Sequence, residues 1–205
     1  MSLIYYVIDL ETNGLSSLIH EPCEISIIRC SDKVQVTKNI ICKYPEKSSL
    51  DALRITGKTM NDLRNGDTLE YVVNLCDKFL NEDGKTPAHR VIIGHNIISF
   101  DKKFLHKMWS EYNKRFPADL YLDTIQLIRA YTKNLDIKTK VNLNASCDLM
   151  KIKKYSSAHS AKSDTRNTYL LWKSLIEKVD YIRFIKNYPH ILNSNIEDYD
   201  LTELE

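Results

Sequence analysis

Asp9 and Glu11 stand two residues apart at the end of an apolar run, Leu3-Ile4-Tyr5-Tyr6-Val7-Ile8. Such a run reads as a buried strand. Residues i and i+2 of a strand share a face, so the two carboxylates lie side by side where the sheet runs out. Paired acids are costly to bury unless a cation neutralises them. That spacing describes half of a divalent-metal site; acids facing solvent at a strand end would show the same spacing. A second acid-bearing stretch is Gly94-His95-Asn96-Ile97-Ile98-Ser99-Phe100-Asp101. There Asp101 enters the first turn of a helix, as a metal ligand or as compensation for the helix dipole. The third is His159-Ser160-Ala161-Lys162-Ser163-Asp164. If a helix starts there, Asp164 follows His159 by roughly a turn and a half, and His159 can reach a water held at the metals. Four carboxylates and a histidine can hold two Mg²⁺ or Mn²⁺ ions about 4 Å apart. Oxygen ligands select such hard cations rather than zinc. Two ions serve in-line displacement at phosphorus, one activating water and the other stabilising the leaving oxygen. An imidazole can take the water's proton near neutral pH.

The elements that position these groups follow from hydrophobic periodicity and turn residues. Residues 3–8 form the first strand, 23–30 a second and 34–43 a third, with Ser31-Asp32-Lys33 as a hairpin connection. Ser48 and Ser49 open a short helix that Gly57 ends. Asp67 or Thr68 caps a longer one carrying Leu69, Val72, Val73, Cys76, Phe79 and Leu80. Residues 91–94 read as a buried strand, and a helix follows from Ser99. Residues 120–122 form another short strand, with Asp123-Thr124 capping the next helix. Further helices are expected over 143–150 and from about 160 to 178, with a short one over 181–187. Three strands in a meander followed by strands alternating with helices make an α/β fold with a mixed sheet covered by helices. Ligands in such folds sit at the carboxyl ends of strands. Asp9, Glu11, His95, Asn96 and Asp123 all fall there.

The three stretches, Asp9-x-Glu11-Thr12, Asn96-x-x-x-Phe100-Asp101 and His159-x-Ala161-x-x-Asp164, resemble the three exonuclease motifs of the DEDDh superfamily. Their order and separations fit, as do Ile55-Thr56-Gly57 and Leu122-Asp123-Thr124. The resemblance covers most of the chain, from Leu3 to Ile176. It implies a ribonuclease-H-like fold and 3′-to-5′ hydrolysis that releases nucleoside 5′-monophosphates. Asp9, Glu11, Asp101 and Asp164 would bind two metals, and His159 would be the general base. Thr12, Asn13, Gly14 and Leu15 would hold the 3′ nucleotide, with Leu15 wedged against the terminal bases. Asn96 would orient the substrate or a metal ligand, beside His95. Apart from the resemblance, the basic loop of Lys151, Lys153 and Lys154 with Tyr155 reads either as a track for phosphates or as a solvated lysine-rich loop. Three residues separate Asn96 from Phe100, as in the repair members of the superfamily, and Lys162 stands where many members carry an acid or another residue.

The remaining sequence bounds the setting. A chain of 205 residues, 43% hydrophobic and 27% charged, suits one ordinary domain, expected over 1–190. An acidic tail follows over 191–205, with little to bury and an expectation of disorder. Residues 197–205 hold five acids and no base, so the net charge of +2 conceals a body of about +7, which suits a polyanionic partner. Five cysteines without a C-x-x-C pair argue against a disulfide framework and against zinc, and for a reducing intracellular compartment, cytoplasmic or nuclear. No basic stretch precedes the first apolar run, so no signal peptide is expected. The reading is thus a metal-dependent exonuclease on single-stranded DNA or RNA 3′ ends. The competing reading is a nucleic-acid-end or polymerase-associated binding module. A polymerase or a second copy of the chain stays open as a partner.

Overall fold

The computed structural model describes residues 3–155 and 159–178. Five strands form one sheet: β1 (Ile4–Thr12), β2 (Pro22–Arg29), β3 (Gln35–Asn39), β4 (Arg90–Gly94) and β5 (Leu120–Asp123). Six helices accompany them: α1 (Leu50–Thr56), α2 (Leu69–Asn81), α3 (Asp101–Ser110), α4 (Thr124–Asn134), α5 (Leu143–Leu149) and α6 (Ala161–Ile176). The strand order is β3-β2-β1-β4-β5. The first three strands pair antiparallel, whereas β1, β4 and β5 run parallel. This is the expected meander extended by parallel strands. The short helix expected over 181–187 and the acidic tail lie outside the described residues. Among the described residues, no helix is long and apolar enough to cross a membrane.

Alternation along β1 divides the core. Tyr6, Ile8 and Leu10 face a cluster completed by Val72, Val73, Cys76 and Phe79 of α2 and Phe104, Leu105, Met108 and Trp109 of α3. Val7 faces the opposite cluster, with Leu127 and Ile128 of α4, Cys147 of α5, and Leu171, Trp172 and Leu175 of α6. Each fully buried side chain of this size contributes about 1.5–3 kcal/mol. Asp9 and Glu11 continue the row of Val7 on the α6 face. An apolar strand therefore delivers its two acids to the helix that carries Asp164.

Local caps follow the sequence closely. Ser49 caps α1, and Gly57 ends it in the left-handed region at φ 65°. Thr68, Asp123, Asn142 and Ser160 cap α2, α4, α5 and α6, each accepting from a backbone N–H of the first turn. Two expectations are corrected. The third strand stops at Asn39 instead of reaching residue 43. Ile40 still donates to the Cys23 carbonyl of β2, but beyond it Ile41 and Cys42 donate to the Asp67 and Leu63 carbonyls, away from β2. The helix expected from Ser99 begins at Asp101. Asn96 adopts φ 71°, and the Asp123 carboxylate binds the Asn96 and Ile98 N–H groups at 2.9 and 3.3 Å. Residues 96–100 are thereby held as a turn.

Candidate active site

Asp9, Glu11 and Asp164 each present a carboxylate oxygen within 4.8 Å of the others. β1 supplies the first two and the first turn of α6 the third. That turn is stitched to the neighbouring strands. Gln35 on β3 donates to the Lys162 carbonyl at 3.0 Å and accepts from Arg166 Nε at 2.7 Å. Thr165 Oγ1 donates to the Ser26 carbonyl of β2 at 3.4 Å. Asp101 arrives from the first turn of α3, where its buried Oδ1 accepts from the Leu10 N–H of β1 at 3.1 Å. Two of the four acids thus stand in helix first turns, where the dipole favours a carboxylate.

The electrostatics are those of a site built for cations. Burial pushes Asp9 well above the ordinary carboxylate range, and the nearby Asp101, Glu11 and Asp164 raise it further. Glu11 is pushed up to about 8, first by burial and then by Asp164 and Glu24, against the pull of Lys58. Burial raises Asp101 to about 7, opposed by the backbone N–H groups it accepts from. Asp164 is raised chiefly by burial, while His159 and Asn167 draw it down. Four acids this close cannot all carry charge unaided. An all-oxygen donor set of this kind fits hard divalent ions. Asp9, Glu11, Asp101 and Asp164 are the residues that could hold them.

His159 is exposed beside this cluster, its Nδ1 3.6 Å from Asp164 Oδ2. Both line a cleft of about 420 Å³ with Ile55, Asn142, Leu143 and Asn144. The other expected contacts are placed as follows. Thr12 is buried and donates its hydroxyl to the Gly14 carbonyl at 2.8 Å. Asn13 is buried, accepting from the Glu21 N–H at 2.7 Å. Gly14 lies under the His20 ring, which a Cβ there would meet at 2.1 Å. Leu15 stands 82% exposed, an apolar side chain open to a ligand. Asn96 is exposed on its turn. The structure does not bring His95 or Lys154 to the carboxylates with a free polar group. Both His95 ring nitrogens meet protein oxygens, and Lys154 pairs with Asp148 at 2.8 Å.

Sequence reasoning missed Glu24, Lys58, Asn142 and Asn144. Glu24 is buried opposite Glu11 in the β1–β2 ladder and paired with Lys58 at 2.7 Å. Its only sequence signal is its place in the second strand, since strand register decides what it faces. Asn142 and Asn144 carry no motif, and tertiary packing alone brings them to the cleft.

A mixed sheet with acids gathered at one end of its central strand, and a histidine beside them, is an arrangement suited to divalent-metal chemistry. The chain belongs to the exonuclease family: the family model, RNase_T, matches residues 6–172. Its members depend on divalent metal ions and act on nucleic acid. No curated protein matches the sequence. Among solved structures, the chain is similar to E. coli exonuclease I in complex with a dT13 oligonucleotide (TM-score 0.75, 17% identity, 92% of this chain and 44% of that one). It is similar to the exonuclease I complex with SSB-Ct (TM-score 0.74, 15% identity, 93% and 44%). It also resembles the zinc-bound form of the E. coli enzyme with single-stranded DNA (TM-score 0.72, 18% identity, 89% and 43%). The chain spans less than half the length of these structures. At such identities the likeness is one of fold, ribonuclease-H-like as the motifs imply.

Proposed function

We propose that the protein is a 3′-to-5′ exonuclease on single-stranded nucleic acid, releasing nucleoside 5′-monophosphates. The observation that carries this is the gathering of Asp9, Glu11 and Asp164, with Asp101 beside Asp9 and His159 at the rim. Two Mg²⁺ or Mn²⁺ ions bound by the four acids would neutralise the scissile phosphate, ease ionisation of the attacking water and stabilise the departing oxygen. The chain's own residues do the rest. His159 takes the proton of the water that attacks phosphorus. Asp164, 3.6 Å from the ring, orients and stabilises the imidazolium. The bond from phosphorus to the 3′ oxygen breaks, and the shortened strand regains a 3′ hydroxyl with a proton from solvent. The Thr12 to Leu15 stretch supports the terminal nucleotide, and the exposed Leu15 packs against its base. The catalytic unit lies within residues 1–190.

The DNA bound in the structural neighbours makes single-stranded DNA the first polymer to try, with RNA beside it. Strands labelled at the 5′ end are incubated with Mg²⁺ or Mn²⁺ and with wild type, Asp9→Ala or His159→Ala. A ladder shortening from the 3′ end, lost in both variants, is the expected result. Intact label with both polymers would leave a binding role for the same surface.

A further inference from the structure

His95 follows the last residue of β4, and Thr124 follows the last residue of β5; Gly94 and Asp123 pair across the two strands. His95 Nδ1 lies 2.9 Å from the buried Thr124 hydroxyl. Nε2 lies 2.8 Å from the carbonyl of Val141, 46 residues away in the chain. A carbonyl only accepts, so Nε2 carries the proton, and the single Thr124 hydroxyl proton is shared between His95 Nδ1 and the Gly94 carbonyl, 3.1 Å away. The ring therefore clamps two strand ends to the segment between α4 and α5. The residue after Val141 is Asn142, which caps α5 by accepting from the Ala145 N–H at 2.9 Å. Asn142, Leu143 and Asn144 then line the cleft that holds His159 and Asp164. Just before Val141, Lys138 and Lys140 are exposed. Two exposed lysines a few residues ahead of asparagines that line a cleft suit a phosphodiester backbone, which takes charge contacts and amide donors without regard to base.

We propose that His95 is a positioning residue that fixes residues 138–144 as the wall against which the strand upstream of the scissile phosphate lies. This rests on the exonuclease reading and adds a second surface to it. His95 makes no contact with the reacting atoms. It holds Val141, Val141 places the α5 cap, and the cap and the two lysines meet the strand. Lys154, tied to Asp148 on α5, belongs to the support of this wall.

The test uses the full chain and a fluorescent single strand of about twelve nucleotides, within the range such grooves span. Binding is first measured by anisotropy without divalent ions. His95→Asn keeps a polar group near Thr124 but is too short for Val141, and is expected to weaken binding about 10-fold; His95→Gln can reach Val141 and is expected to stay within about 3-fold of wild type. Lys138→Glu with Lys140→Glu is expected to weaken binding about 10-fold and to flatten its salt dependence. With Mn²⁺, His95→Asn is expected to raise KM for the long strand about 10-fold more than for a dinucleotide, and amide hydrogen exchange over 141–145 to quicken. Unchanged binding in the lysine variant overturns the wall. Weakening there without weakening in His95→Asn overturns the role of His95. An equal fall in kcat on dinucleotide and long strand also overturns it, because His95 would then act at the chemistry. If His95→Asn does not fold, the lysine variant on the exposed surface still decides the wall. Should wild type bind the strand but never cleave it, the exonuclease reading fails while the binding arms still decide the wall.

Discussion

Glu11 on β1 stands directly opposite Glu24 on β2, and Asn39 on β3 completes the row. Lys58, from beyond the end of α1, reaches Glu24 at 2.7 Å and Asn39 at 3.1 Å. The sheet therefore places two buried acids on neighbouring strands and neutralises the outer one itself. The inner one, Glu11, is left for the cluster with Asp9 and Asp164. Glu24 also accepts from the Lys162 N–H at 3.4 Å, so it touches the turn that carries Asp164.

Lys58→Met strands the Glu24 charge. The two side chains are 18% and 7% exposed. The loss is expected at about 1–3 kcal/mol, below that of a fully buried pair because Lys58 keeps some water. Urea denaturation checks it. Mn²⁺ is expected to restore more stability to this variant than to wild type, since a bound cation replaces the missing charge.

The raised acids make the metal-free protein sensitive to pH. Glu11 moves from its ordinary 4.5 to about 8, and Asp101 from 3.8 to about 7. In between, the folded state binds more protons than the unfolded state, so stability falls as pH rises. The metal-free Tm is expected to decline from about pH 4.5 to about pH 8, across the span of those shifts. Saturating Mg²⁺ or Mn²⁺ is expected to flatten that decline. A metal-free Tm that climbs through this window would contradict the crowding of acids.

His159 and Asp9 are expected to separate chemistry from ion binding. His159→Ala should lower single-turnover cleavage by about 10²–10⁴-fold, the usual worth of a general base, while calorimetry still detects divalent-ion binding. Asp9→Ala should lose both. Loss of ion binding in His159→Ala would make the histidine a ligand instead.

Asp101 carries a structural duty beside its proposed ligand role. Asp101→Ala leaves the Leu10 N–H buried without its acceptor, at an expected cost of about 1–3 kcal/mol. Asp101→Asn can still accept that bond and is expected to keep most of the stability. Both variants are expected to lose cleavage. Comparing denaturation with activity across the pair separates the two duties.

Much of this was legible in the chain itself. The apolar run before Asp9 announced β1, and Ser49, Thr68, Asp123 and Ser160 at helix starts are local signals read from a few residues. The spacings around Asp9, Asp101 and Asp164 named the acids because a strand of period two and helix first turns fix where carboxylates point. Local rules failed where long-range contacts decide. Asn96 to Phe100 form a turn because Asp123, from the next strand, captures two of their N–H groups. Strand β3 ends early because Ile41 and Cys42, beyond it, donate to the Asp67 and Leu63 carbonyls. Residue types and spacing thus determined the fold class and nominated the four acids and the histidine as the proposed site. Only the tertiary structure decided that Glu24 stands beside Glu11, that Lys58 neutralises it, and that His95 is turned to Val141. Those pairings depend on strand register and packing between residues far apart in the chain, which no short stretch of sequence encodes.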